Sequence, residues 1–282
     1  MNILSIQSWV CYGHVGNASA GFPLQRLGCE VWAVNTVQFS NHTGYGDWTG
    51  EVFTGAQTAA LIRGIEARGA LSRCDAVLSG YLGDVETGAA IVDAVARVKA
   101  ANPAALYCCD PVIGDDDTGV YVRPGIDVFL RDVALRVADI ATPNCFELEQ
   151  LTGLPTTTLA DTKEAIARLQ SLGPRCVLVT SLATAETPAG EIDMIAAEDG
   201  MFHLLRTPEL ALKVNGAGDA IAALFLFHRI RTGSAARALE AAGSAIFGVL
   251  KRTAEAGSRE LLTVAAQDEF ISPSQTFAAI AC

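Results

Sequence analysis

The chain has no apolar run near the roughly 18 residues that a membrane-crossing helix needs. Its longest candidate, residues 220–227, is far shorter and follows Asp219, so no membrane partner is expected. The first residues carry neither a basic stretch nor a long apolar one. No signal peptide is therefore expected, and the location read from the sequence is cytoplasmic. Positive charge is scarce: 20 Lys and Arg stand against 31 Asp and Glu, a net charge of −11. That argues against a nucleic-acid partner held by a broad basic surface. It does not exclude an anionic small ligand, which backbone N–H groups and a metal ion can hold. The eight cysteines form no CxxC pair, and the four histidines show no zinc-like spacing. Reduced thiols acting as small hydrophobes are the expectation. Internal repeats, low-complexity tracts and linkers are all missing, so the simplest parse is one domain over residues 1–282.

Apolar material is plentiful. Half of the residues are hydrophobic and only 18% are charged, enough for a large buried core. Short apolar runs at residues 3–6, 30–39, 75–79, 104–109, 139–141 and 176–179 read as strands. The first is expected to end at Gln7-Ser8. Leu61, Ile62 and Ile65 suit one helical face. Ile91, Val92, Val95 and Val98 recur at helical spacing, as do Ala165, Ile166, Leu169 and Leu172. Residues 191–206 read as a hairpin turning at Asp199-Gly200, followed by helices over 219–231 and about 234–251. Such alternation predicts a mainly parallel sheet covered by helices on both faces. Ligands bind such folds beyond the carboxyl ends of the strands, where Ser8, Gly80, Asp110, Asn144 and Thr180 fall.

The sharpest motif is Asn215-Gly216-Ala217-Gly218-Asp219, opening the apolar helix. Glycines let backbone approach a ligand closely. Free N–H groups and the helix dipole favour an anion there. Asp219 beside them could take a proton from a hydroxyl while the N–H groups stabilise a transferred phosphoryl group. An ordinary helix cap is the bland alternative and, for this motif alone, the commoner one. The segment is not a Walker A loop, and Ile221 stands where a dinucleotide fingerprint needs its third glycine. Protein-kinase HRD and DFG sequences are missing too.

Three more segments carry polar groups in suggestive places. In Thr142-Pro143-Asn144-Cys145-Phe146-Glu147, Asn144 and Glu147 have the spacing of a capping box. Alternatively, Glu147 and Asp110, the latter in Cys109-Asp110-Pro111, organise Mg²⁺ through bound water. Residues 7–17 join a strand end to a glycine-containing loop with His14. Residues 35–46 mix aromatic and hydrogen-bonding groups on a turn, a surface suited to a flat heteroaromatic molecule. A polar hairpin tip is the plain alternative.

Taken in order, these segments, with Leu78-Ser79-Gly80-Tyr81-Leu82-Gly83 and residues 109–115, resemble the ribokinase superfamily and, within it, the pyridoxal kinases. The resemblance runs from Ile3 to about Asp268. It implies a three-layer α/β/α fold with a small β flap at about residues 35–50. It also implies a lid over ATP at about residues 114–121. The implied activity is ATP-dependent phosphorylation of the 5′-hydroxymethyl group of pyridoxal, with pyridoxine and pyridoxamine as further candidates. In that resemblance Asp219 is the base, and Gly216, Ala217 and Gly218 form the anion hole. Ser8, Val15, His42, Thr43, Gly44 and Tyr81 surround the pyridine ring. Asp110, Asp115, Thr142, Glu147, Thr180, Thr207 and Leu210 lie on the ATP side, with Asp110 and Glu147 serving Mg²⁺. A monovalent cation and a homodimer also belong to what the resemblance implies. Val120 stands where some members carry cysteine, and Thr180 where some bacterial members carry lysine. Both departures touch the nucleotide side and leave Asp219 unaltered. Two rival readings are a hydroxymethylpyrimidine kinase of the same superfamily and a vitamer-binding protein without catalysis. A nicotinamide-dependent oxidoreductase is disfavoured by the incomplete glycine fingerprint.

Overall fold

The computed structural model describes residues 1–282. The first half follows the strand and helix alternation of the sequence: β1 (Asn2–Val10), α1 (Asn17–Arg26), β2 (Glu30–Phe39), β3 (Gly50–Val52), α2 (Gly55–Glu66), β4 (Ala76–Ser79), α3 (Val85–Ala101) and β5 (Leu106–Cys109). A small hairpin, β6 (Gly114–Asp115) and β7 (Gly119–Val120), comes next, then α4 (Ile126–Phe129) and α5 (Leu135–Val137). The rest comprises β8 (Ile140–Ala141), α6 (Cys145–Thr152), α7 (Leu159–Gln170), β9 (Cys176–Leu182), β10 (Glu191–Glu198), β11 (Met201–Pro208), α8 (Ala217–Thr232), α9 (Ala235–Glu255) and β12 (Ile280–Ala281).

Ten strands form one sheet in the order β12-β11-β10-β9-β8-β5-β4-β1-β2-β3. The six strands from β9 to β2 run parallel, and antiparallel strands extend both edges. Period-two alternation divides the core into two layers. Leu4, Val77, Tyr107, Cys109, Val177 and Val179 pack on one face, among residues of α2, α3, α6 and α7. Ile3, Leu78, Cys108, Cys176 and Leu178 pack on the other, with α1, α8 and α9. This is the three-layer α/β/α arrangement expected. Helix α8 is buried from Ala220 to Phe227, which explains an apolar run without helical periodicity. Five cysteines are buried, Cys145 is half-buried, and only Cys11 and Cys282 are exposed; all eight are unpaired.

Several boundaries differ from the sequence reading. Strand β1 does not stop at Gln7-Ser8 but continues to Val10, with a bulge against β2 between Gln7 and Trp9. Buried Asn17 serves that region: its amide donates to the Val34 carbonyl at 3.0 Å and to Asn35 Oδ1 at 2.9 Å. Leu61 is exposed, so only Ile62 and Ile65 of that trio reach the core. Helix α1 was not expected, because Gly21 and Pro23 lie inside it. Residues 126–137 were not expected either; a π-helical turn, Leu130–Ala134, separates α4 from α5 there. The hairpin of β10 and β11 turns as expected at Asp199 and Gly200, both at positive φ (50° and 77°).

Candidate active site

The carboxyl ends of the parallel strands bring together the segments singled out from the sequence. Gly216 caps α8 at φ 89°, a conformation that favours glycine. A Cβ there would run into the His14 carbonyl oxygen, so two distant segments touch at this point. Ser19 on α1 braces the contact by donating its hydroxyl to the Gly216 carbonyl at 2.6 Å. A Cβ on Gly218 would meet nothing within 4 Å, so open space lies before the first turn of α8. Ala217 and Gly218 present N–H groups without intrahelical partners to that space.

Asp219 is half-buried in the same turn. Burial pushes its carboxyl up to about 6, against hydrogen bonds from the Gly16 N–H and its own N–H that favour the charged form. Asp110, at the end of β5, is buried and rises well above the ordinary carboxylate range. Burial is the main cause, and the charges of Glu147 and Asp219 add to it. Thr142 opposes that rise by donating to Asp110 Oδ1 at 2.8 Å. Glu147 is pushed up to about 7 by burial, while backbone donors pull the other way. The Ile113 N–H reaches its Oε1 at 2.9 Å and the Asn144 N–H reaches its Oε2 at 2.9 Å. The capping box is thus real, with Asn144 accepting from the Glu147 N–H at 2.8 Å. Glu147 therefore builds the loop and projects negative charge, and both of its oxygens are engaged by backbone.

The other nucleotide-side candidates occupy the same end of the sheet. Thr180 lies on β9, its N–H bonded to the Pro143 carbonyl at 3.1 Å. Thr207 is buried on β11, and Leu210 is half-buried just past it. Asp115 spends its carboxylate inside the small hairpin, accepting from the Thr118 N–H at 2.7 Å. Lys213 ties that hairpin to the segment before Gly216 through Asp117, at 2.7 Å. Tyr121, half-exposed where the hairpin ends, has its hydroxyl pushed up by partial desolvation and by the charges of Glu147 and Asp219.

On the other side, Val15 joins Val10, Val37 and Phe39 in a small apolar cluster, with Val52 and Tyr81 against it. Ser8 is buried beneath, and Gly16 lies so close that a Cβ would strike the Ser8 carbonyl and Oγ. His42 is half-buried, and its Nδ1 accepts from the Gly44 N–H at 3.1 Å. Burial lowers the His42 pKa, while Glu260 and Asp115 raise it. Thr43 and Gly44 are exposed at the tip of the turn. Nothing in the sequence pattern singles out Ser19, Lys213 or Glu260. Each acts through a contact with a segment far away along the chain.

An apolar cluster over buried polar groups on one side, and open amides among carboxylates on the other, suit phosphoryl transfer to a small alcohol. The sequence signature described as phosphomethylpyrimidine kinase matches residues 35–263, and the chain belongs to that family of small-molecule kinases. Its relatives narrow the class to the pyridoxal kinases. The chain is 66% identical to pyridoxal kinase PdxY of Granulibacter bethesdensis, covering 100% of both chains. It is 52% identical to pyridoxal kinase PdxY of Rubrobacter xylanophilus, covering 98% of this chain and 96% of that one. Pyridoxal kinase from Leishmania donovani in complex with ADP and pyridoxamine superposes with a TM-score of 0.91 at 29% identity, over 100% of this chain and 99% of that one.

Proposed function

We propose that the protein transfers the γ-phosphoryl group of ATP to the 5′-hydroxymethyl oxygen of pyridoxal. Pyridoxine and pyridoxamine are further acceptors, and pyridoxal 5′-phosphate is the product in vitamin B6 salvage. The observation that carries this reading is Asp219, a half-buried carboxylate raised to about 6, beside the open amides of Ala217 and Gly218. Ionised Asp219 takes the hydroxymethyl proton as the oxygen attacks phosphorus, and ADP leaves. The amides at the start of α8 stabilise charge on the transferring oxygens. Ser8, Val15, His42, Thr43, Gly44 and Tyr81 hold the vitamer ring. Asp110, Asp115, Thr142, Glu147, Thr180, Thr207 and Leu210 line the side proposed for ATP. We assign residues 35–50 as the substrate flap and residues 114–121 as the nucleotide lid, within one kinase domain.

The residues fit Mg²⁺ held mainly by phosphates and water. No group of three His, Cys, Asp or Glu is placed to hold a metal by itself. Asp110 and Glu147 are nevertheless buried carboxylates, and burial first, then the charges of Glu147 and Asp219, raise Asp110 well above its ordinary value, a strain that a hydrated cation would relieve. Backbone donors already hold both oxygens of Glu147, so its contact with such an ion would run through water. When bound, the ion neutralises phosphate charge. Asp110 and Glu147 would orient its water, and Thr142 keeps Asp110 in place. A monovalent cation, a homodimeric assembly and a cytoplasmic location complete the proposal.

ADP release measured with the three vitamers and with hydroxymethylpyrimidine tests this reading. Pyridoxal is expected to turn over fastest; faster turnover of the pyrimidine would overturn the choice of acceptor. Asp219→Ala should lower kcat by about 10²-fold or more, the scale of a lost general base. Near-normal kcat in that variant would remove Asp219 from the role.

A further inference from the structure

The turn over residues 41–48 has few links to the body of the protein, and one of them is long-range. The Tyr45 hydroxyl donates to Oε1 of Glu260, which lies 215 residues further along the chain. Glu260 is half-buried, although it follows the exposed run 255–257 and exposed Arg259. Around it gather parts of three separate segments. Gly13, at φ 93°, packs so closely that a Cβ would overlap the Glu260 carboxylate. The Glu260 charge is felt by both His14 and His42. The Arg259 guanidinium stands 5.0 Å from the centre of the Tyr45 ring, and the Tyr12 ring meets that of Tyr45 edge-on at 6.2 Å. The backbone that carries the carboxylate is itself fixed. Ser258 Oγ donates to the Glu260 carbonyl at 2.7 Å and accepts from the Glu260 N–H at 3.1 Å.

We infer that Glu260 is a positioning residue for the vitamer side of the reaction. It latches the flap, through Tyr45, onto the loop that carries Gly13, His14 and Val15. This rests on the proposed substrate side and extends it to a segment outside the motifs. The contacts of Glu260 are with Gly13 and with Tyr45 of the flap, so its effect falls on how the vitamer is held. An ordered flap lowers the entropic cost of enclosing a small ring, so breaking the latch weakens vitamer capture.

The test uses Glu260→Ala, Tyr45→Phe, the double variant, and Glu260→Gln, whose amide oxygen still accepts from the tyrosine. Glu260→Ala and Tyr45→Phe should each raise KM for pyridoxal by about tenfold, the worth of a hydrogen bond to a charged group. KM for ATP and kcat should stay within about twofold. The double variant should be no worse than either single one, because both remove the same link. Glu260→Gln keeps an acceptor but loses the charge, so its KM for pyridoxal should fall between those of wild type and Glu260→Ala. In parallel, amide hydrogen exchange over residues 41–48 should quicken in Glu260→Ala and Tyr45→Phe, and less in Glu260→Gln. Unchanged pyridoxal KM, an equal rise in KM for ATP, or additive effects would each overturn the latch. If the wild-type protein fails to phosphorylate pyridoxal, the proposed function falls. The exchange measurement then still decides whether Glu260 orders the flap.

Discussion

Asp219 gives up part of its affinity for water to stand where it does. Its pKa of about 6 lies above the ordinary carboxylate value of 3.8, so the folded chain holds that proton more tightly than the unfolded chain. Stability from this group is therefore greatest below the unfolded value, falls as pH climbs through the window up to about 6, and stays lower above it. Asp219→Asn removes the burden. The variant should melt above wild type at pH 8, by roughly 2–4 °C for each kcal/mol regained. The difference should vanish below about pH 4, where both forms are neutral. Calorimetry across that range checks the prediction, and a lower melting temperature at pH 8 would contradict it. With Asp219 as the proposed base, the same titration should appear as an acidic limb of kcat/KM near pH 6. Asp110 and Glu147 are raised for the same reason, so they deepen the dependence and do not cancel it.

At the level of elements, the start of α8 depends on α1 and on the loop before it. Gly216→Ala would force a side chain to φ 89° and into the His14 carbonyl. It should cost roughly 1–3 kcal/mol of stability and most of the activity. Ser19→Ala is the milder probe. It removes the 2.6 Å bond to the Gly216 carbonyl and leaves the cap otherwise intact. It should lower kcat about tenfold with both KM values nearly unchanged, the equivalent of about 1.4 kcal/mol lost at the transition state. Steady-state kinetics separates this from simple instability, since Ser19→Thr should restore kcat. How much of these elements the sequence reveals depends on whether the signal is local. The parallel strands are apolar runs bounded by glycine or polar residues, and Glu30–Phe39 is legible to its last residue. Asn215 to Asp219 is visible because glycines and an acid stand together in a row. Helix α1 is hidden because its stability comes from packing Leu24 against the core, while Gly21 and Pro23 argue locally against it. The roles of Ser19, Lys213 and Glu260 are hidden for a related reason. Each is a single polar residue whose meaning comes from a partner 96 to 215 positions away.

Across the whole molecule, the two sides of the cleft are not independent walls. Ser8 touches Gly16, Gly16 donates to Asp219, and the His14 carbonyl packs on Gly216, all on the frame of β1, α1 and α8. An ion pair from Asp117 to Lys213 joins the small hairpin to that frame. Such contiguity couples the ligands. ADP should tighten pyridoxal binding by some factor, and pyridoxal should tighten ADP by the same factor, as thermodynamic reciprocity demands. Titration calorimetry in both orders checks this, and two independent affinities would argue against a shared frame.

The distribution of thiols has a practical consequence. Burial shields five of the eight, and Cys282 sits at the far end of the chain. Exposed Cys11, however, hangs from the Phe39 carbonyl by its own amide at 2.9 Å, between the first strand and the turn above it. Once Cys282 and half-buried Cys145 are replaced by serine, a fluorescent maleimide on Cys11 would sit beside the turn proposed as the flap, and a change in its brightness on adding pyridoxal would show whether that turn moves.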